Sequence, residues 1–141
     1  MNLFFDSSAL AKRYIQETGT ERVAELISGA SSLGLSIICL TELISALCRR
    51  RREKKLSHEQ YLKTKRTLFE DAEDANIVSI TDEVMARAVD LLERWTLRSA
   101  DSIQVASAAE WGADLFVSAD VRQCDAARGY GLAVEELPAG L

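Results

Sequence analysis

Apolar residues along this chain fall into two alternating patterns. Leu3–Phe5, Leu35–Cys39, Ile77–Ile80, Leu115–Ser118 and Ala133–Leu137 are short apolar stretches bounded by polar or turn-forming residues, which predicts buried strands. Between them the apolar positions recur at helical spacing. Ser7–Gln16 predicts a first helix that stops before Gly19. Thr20 is placed to N-cap a second, with Val23, Leu26, Ile27 and Ala30 inward. Leu40, Leu43, Ile44, Leu47 and Cys48 form the face of a third. Ser57 and Gln60 have capping-box spacing, and Tyr61, Leu68, Phe69 and Ala72 line the helix that follows. Thr81 opens a helix with Val84, Ala88, Leu91, Leu92 and Trp95 inward. Ala100–Trp111 is alanine-rich and suits close packing on a sheet. Asp120–Arg128 is the last helix, ended by Gly129. Both tryptophans, Trp95 and Trp111, fall at apolar helical positions and read as core.

Strands alternating with helices predict an α/β fold whose sheet is mainly parallel and has four to five strands. The 141 residues are the usual size of one domain, which would span 1–141, and neither a repeat nor a linker interrupts the pattern. No apolar stretch approaches the ~20 residues of a membrane span. Asp6 and Lys12-Arg13 break the N-terminal apolar residues, so no secretory leader is expected, and the expected compartment is the cytoplasm.

Composition narrows the chemistry. Three cysteines, Cys39, Cys48 and Cys124, are too few and too widely spaced for a disulfide framework or a zinc motif, and read as buried or free thiols. His58 is the only histidine and sits among polar residues at a helix start, which argues against Ser-His-Asp or Cys-His catalysis. No GxxxxGK[ST] loop is present, so nucleoside triphosphate use is not supported.

The acids are more informative. Asp6 directly follows the first predicted strand, Glu42 follows the second in the first turn of its helix, and Asp120 follows the fourth. In a parallel sheet the C-terminal strand ends share one edge, where ligands bind. Asp101 opens a helix that runs back through Gly112 to the fourth strand, so it faces the same edge. Each acid alone is explained as a helix cap or a partner of the helix dipole. Together they repel one another, and serine or threonine would cap as well without repulsion. A hard divalent cation resolves the conflict, and an all-oxygen set favours Mg²⁺ or Mn²⁺ over zinc. Such a site suits phosphoryl chemistry.

DSSALAKRY at 6–14, SIICLTELISAL at 36–47, LRSADSIQVASAAEWGADLFVSAD at 97–120 and the tail AARGYGLAVEEL together resemble a PIN domain, and within that family the VapC-type toxins of bacterial toxin–antitoxin pairs. The resemblance covers nearly the whole chain and is strongest at LRSADSIQVASA. It implies a three-layer α/β/α sandwich and a Mg²⁺- or Mn²⁺-dependent endoribonuclease in which Asp6, Glu42, Asp101 and Asp120 are the catalytic, metal-holding acids. Ser118 stands where the family often has Ser or Thr and is a candidate supporting residue. Asp125, one turn beyond Asp120, is a second candidate, although a surface acid is the plainer reading. The resemblance also implies an RNA substrate, a homodimer and a VapB-type antitoxin that covers the site.

The chain carries a net charge of −5, yet residues 49–66 hold nine basic residues and two acids, a local +7 that leaves −12 elsewhere. Charge concentrated in this way can meet phosphates despite the overall sign, although such runs are often only solvated helix ends. Arg49 and Arg50 in this segment, with Lys12, Arg13 and Arg98 nearer the acids, are the candidate RNA contacts. Two other readings compete. A PIN-like module that only binds partners would be signalled by loss of an acid, and none is lost. A receiver-type signalling domain would place paired acids after the first strand and a lysine after the last. Here Ser7-Ser8 and Pro138-Ala139-Gly140-Leu141 stand there instead.

Overall fold

The first strand, β1 (Asn2–Phe5), sets the layering: Leu3 and Phe5 point into one half of the core and Phe4 into the other. This is the period-two alternation of a strand buried on both faces. In the computed structural model, which describes residues 1–140, β1 is followed by α1 (Ser7–Tyr14), α2 (Thr20–Gly29), β2 (Ser32–Ser36), α3 (Ile38–Arg52), α4 (His58–Glu73), β3 (Asn76–Val78), α5 (Asp82–Arg94), α6 (Ser99–Trp111), β4 (Leu115–Ser118), α7 (Val121–Gly129) and β5 (Val134–Glu136). The five strands form one sheet in the order β3-β2-β1-β4-β5, and every neighbouring pair is parallel.

Helices α1 to α4 cover one face. There Leu10, Val23, Cys39, Leu43 and Leu68 pack on Leu3, Phe5, Leu35 and Val117. Helices α5 to α7 cover the other, where Val84, Leu91, Val105 and Ala126 pack on Phe4 and Phe116. The molecule is therefore the three-layer α/β/α sandwich with a parallel sheet. Chain order reverses across β1, with β2 on one side and β4 on the other. That places a topological switch point at the C-terminal ends of β1 and β4, the position at which open α/β sheets bind ligands.

Alanines at 106 and 108 bring α6 close to the sheet. Gly34 in β2 completes the approach, because a Cβ there would stand 2.7 Å from the ring of Trp111. Ser57 and Gln60 close the capping box of α4, and Thr81 caps α5, as their spacing predicts.

Several local expectations shift. The second strand lies at Ser32–Ser36, three residues before the apolar run at 35–39, because Ile38 and Cys39 belong to α3. A short apolar run does not separate a strand from a buried helix start. Thr20 is inside α2 rather than capping it. Gly19, at φ 99°, is the N-cap, and the Thr20 hydroxyl instead accepts from the Glu17 N–H. Phe69 and Leu92 are exposed rather than inward, and Ile80 lies beyond β3. No helix among the described residues is long and apolar enough to cross a membrane.

Candidate active site

Asp6 is both helix cap and buried charge. Its own N–H donates to Val117 O, joining the end of β1 to β4. Its Oδ1 accepts the Ala9 N–H at 2.9 Å and so N-caps α1. Ser118 Oγ donates to Oδ2 at 2.7 Å, and Ser8 Oγ lies 2.8 Å from both carboxylate oxygens. The residue has no exposed surface. Burial pushes its pKa from 3.8 up to about 6; the hydrogen bonds from Ser118, Ala9 and Ser8 oppose the shift, and the charge of Asp120 adds to it. Ser8 also accepts the Ala119 N–H, and Ser118 accepts the Asp120 N–H, so the two serines tie the ends of β1 and β4 together.

Asp120 N-caps α7 through Oδ1, which accepts the N–H groups of Arg122 and Gln123. Asp101 sits in the first turn of α6 and is 5% exposed. Its Oδ2 accepts from Arg98 Nε at 3.2 Å and its Oδ1 from Gln123 Nε2 at 3.0 Å. The same Gln123 nitrogen lies 3.4 Å from Asp120 Oδ2. Glu42 comes one turn later than its sequence position suggests, in the second turn of α3, because that helix begins at Ile38. Its Oε1 accepts from Ser7 Oγ at 2.7 Å and from Gln104 Nε2 at 2.8 Å. The N-termini of α1, α6 and α7 all open at this edge, and their dipoles favour negative charge there.

The structure thus brings Asp6, Ser118, Asp120 and Asp101 into one hydrogen-bonded chain, with Glu42 attached to α6 through Gln104. Arg98 stands at the rim with its side chain 81% exposed. The neighbouring carboxylates, Asp101 foremost, hold its guanidinium pKa above the ordinary value. Other candidates lie elsewhere. Asp125 is exposed and pairs with Arg128. Lys12 is fully buried and donates to Glu17 Oε1 and Thr18 O, so it presents no surface to a phosphate. Arg13 is engaged by Asp71. Arg49 and Arg50 are in the last turn of α3, with Arg49 exposed and Arg50 half-buried. That turn lies about 10 Å along the helix from Glu42 at 1.5 Å per residue.

Four residues of the network were not anticipated: Ser7, Ser8, Gln104 and Gln123. A signal for the glutamines was present. Asp101-Ser-Ile-Gln104 and Asp120-Val-Arg-Gln123 each put a glutamine three residues after an acid, on the same helical face.

The donor chemistry fits a hard divalent cation. Every acid offers oxygen, and burial pushes the Cys39 and Cys124 thiols up to about 12, so neither is a thiolate ligand at neutral pH. Gln104 Oε1 and Gln123 Oε1, like Ser107 Oγ, are buried without a hydrogen-bond partner among the described residues, an uncommon state. Among those residues no three His, Cys, Asp or Glu side chains are drawn closely enough together to hold one ion. Hydroxyl and amide donors stand between the acids instead. Asp6, Asp101, Asp120 and Glu42 are the residues that would hold a cation.

A PIN domain family model matches residues 3–129. Solved structures share the fold. VapBC2 from Rickettsia felis, bound to a DNA fragment from its promoter, superposes with a TM-score of 0.70 at 14% identity, covering 96% of this chain and 98% of the other. VapC20 from Mycobacterium tuberculosis, a toxin that cleaves the sarcin–ricin loop, gives 0.69 at 15% identity over 93% and 96%. DNA-bound VapBC from Salmonella typhimurium gives 0.68 at 15% over 96% and 98%. A comparison with curated proteins finds no match.

Proposed function

The chain belongs to the PIN domain family, and from that premise we propose that it is a divalent-metal-dependent endoribonuclease, the toxin of a VapBC-type toxin–antitoxin pair. The observation that carries the proposal is the gathering of Asp6, Asp120, Asp101 and Glu42 at the β1/β4 switch point by donors that leave every carboxylate in place.

Bound Mg²⁺ or Mn²⁺ supplies Lewis acidity toward the phosphate oxygens and the attacking water. Of the four acids, Asp6, Asp101 and Asp120 would hold the cation. Among the described residues Glu42 takes its hydrogen bonds on Oε1, which would leave Oε2 to orient the water and receive its proton. In-line attack on phosphorus then leaves 5′-phosphate and 3′-hydroxyl ends. Arg98 uses Nε for Asp101, and its terminal nitrogens remain available to an RNA phosphate at the rim. The exposed Arg49, with Arg50 and the rest of the basic segment at the end of α3, extends positive charge along the strand.

Partners follow the same reading. Beside the VapBC structures, a toxin–antitoxin complex from Klebsiella pneumoniae shares the fold, which supports a VapB-type partner here. Met85, Val89 and Leu92 on α5, 45%, 51% and 40% exposed, make an apolar row suited to a second copy in a homodimer.

The test is RNA cleavage by purified protein with and without Mn²⁺ or Mg²⁺, beside Asp6→Asn and Asp101→Asn. Cleavage should require the cation and disappear in both variants. Equal cutting by wild type and variants would trace the activity to a contaminant. No cutting of any RNA would leave a binding module.

A further inference from the structure

Gln123 and Gln104 stand in the same relation to the acids. Gln123 is 5% and Gln104 1% exposed. The side-chain nitrogen of Gln123 reaches Asp101 and Asp120, and that of Gln104 reaches Glu42 and Ser7. Each leaves its own Oε1 buried and unpaired among the described residues. An ionised carboxylate only accepts hydrogen bonds, so the NH₂ end has to face the acids. A buried, unpaired amide oxygen is a standing cost. Both amides are therefore held where they are by what their nitrogens do.

Gln123 differs from Gln104 in one respect: its nitrogen stands between two carboxylates, 3.0 Å from Asp101 Oδ1 and 3.4 Å from Asp120 Oδ2. Two oxygens that meet one amide nitrogen along its separate N–H directions lie about 5 Å apart. Two oxygens bound directly to one Mg²⁺ at about 2.1 Å lie about 3 Å apart at neighbouring positions and at most about 4.2 Å apart across the ion. Both arrangements cannot hold at once. The amide has the position of a bridging group but no positive charge, so it spaces the acids without neutralising them.

Building on the reading of these acids as a divalent-cation site, we propose that Gln123 is a positioning residue: it keeps Asp101 and Asp120 as a spaced pair in the cation-free protein, gives up one of them when a cation binds, and so sets cation affinity. Packing alone would not have this consequence. Replacing the amide removes a competitor for the carboxylates and raises the free energy of the cation-free site, and both effects strengthen cation uptake.

The experiment is calorimetric titration of the full chain with Mn²⁺ in the absence of RNA, paired with thermal melts with and without Mn²⁺. The proteins are wild type, Gln123→Met, which keeps the volume without the donors, and Gln123→Glu, which adds a carboxylate in the same place. The expected result is binding about tenfold tighter for Gln123→Met, or about 1.4 kcal/mol, and tighter again for Gln123→Glu. Each variant should melt lower than wild type without Mn²⁺ and gain more from it. Unchanged affinity would show that Gln123 only packs, and weaker affinity would show that it supports the ligand set; either overturns the proposal while the cation reading stands. If wild type takes up no Mn²⁺, the cation reading itself fails and the proposal with it. Should Gln123→Met not fold, Gln123→Glu decides between the same outcomes.

Discussion

Asp6→Asn separates the two roles of Asp6. In the folded protein the Asp6 carboxyl holds its proton to about pH 6 instead of 3.8, chiefly because it is fully buried. The folded state therefore binds more protons than the unfolded state between these values, and stability falls as pH rises through that window. Each pKa unit corresponds to about 1.4 kcal/mol, so the ionised carboxylate costs the cation-free fold about 3 kcal/mol at pH 8. At pH 5, where the folded carboxyl is mostly protonated, the cost drops to roughly half of that by the same linkage. Asparagine keeps the cap, since its Oδ1 can still accept the Ala9 N–H. Its NH₂ group takes the place of Oδ2, which accepts from Ser118 and Ser8, and re-pairing those hydroxyls offsets the gain by about 1–2 kcal/mol. Without divalent cation, Asp6→Asn should be more stable than wild type by about 1–2 kcal/mol at pH 8, a Tm rise of about 3–6 °C for a chain of this size. The advantage should vanish near pH 5. Calorimetric melts in chelator at both pH values measure it. A variant that melts below wild type at pH 8, or an advantage that does not change with pH, would refute the reasoning and leave Asp6 as a helix cap.

Three further outcomes follow from the geometry. Gly34→Ala drives a Cβ against the Trp111 ring at 2.7 Å, and should lower stability by about 1–3 kcal/mol in denaturant titration; no change would mean that the indole swings aside freely. Lys12→Ala removes a fully buried ammonium from Glu17 and Thr18 O, and should cost about 2–4 kcal/mol while leaving the salt dependence of RNA binding unaltered; a flatter salt dependence would put Lys12 back on the RNA. Replacing Arg51, Arg52, Lys54 and Lys55, all exposed, by alanine should weaken RNA binding and reduce its log–log salt slope by about 0.7 for each phosphate no longer neutralised; an unchanged slope would make the run a solvated helix end.

How much of this was legible beforehand varies with distance along the chain. The strand–helix alternation, the capping box at Ser57 and Gln60 and the cap at Thr81 depend on residues a few positions apart, and local spacing carries them. The placement of Asp6, Asp101 and Asp120 at one edge was also legible, because parallel strands joined by helices put all their C-terminal ends on one side. Where the chain's second strand begins was not legible: Ile37, Ile38 and Cys39 look like strand, yet burial of Cys39 is achieved from a helix.

The sequence by itself therefore determined the layered fold, the edge that bears the acids and the hard-oxygen character of the site. Only the tertiary structure decided which neighbour each charge meets. It buried the Lys12 ammonium against Glu17 and Thr18 and placed two glutamine amides among the acids. Periodicity records which face of an element is buried, but not which side chain from a distant element comes to meet it there. The partners of Asp6 and Asp101, and of Glu42, are chosen across the sheet and between helices, by packing that couples residues up to 112 positions apart.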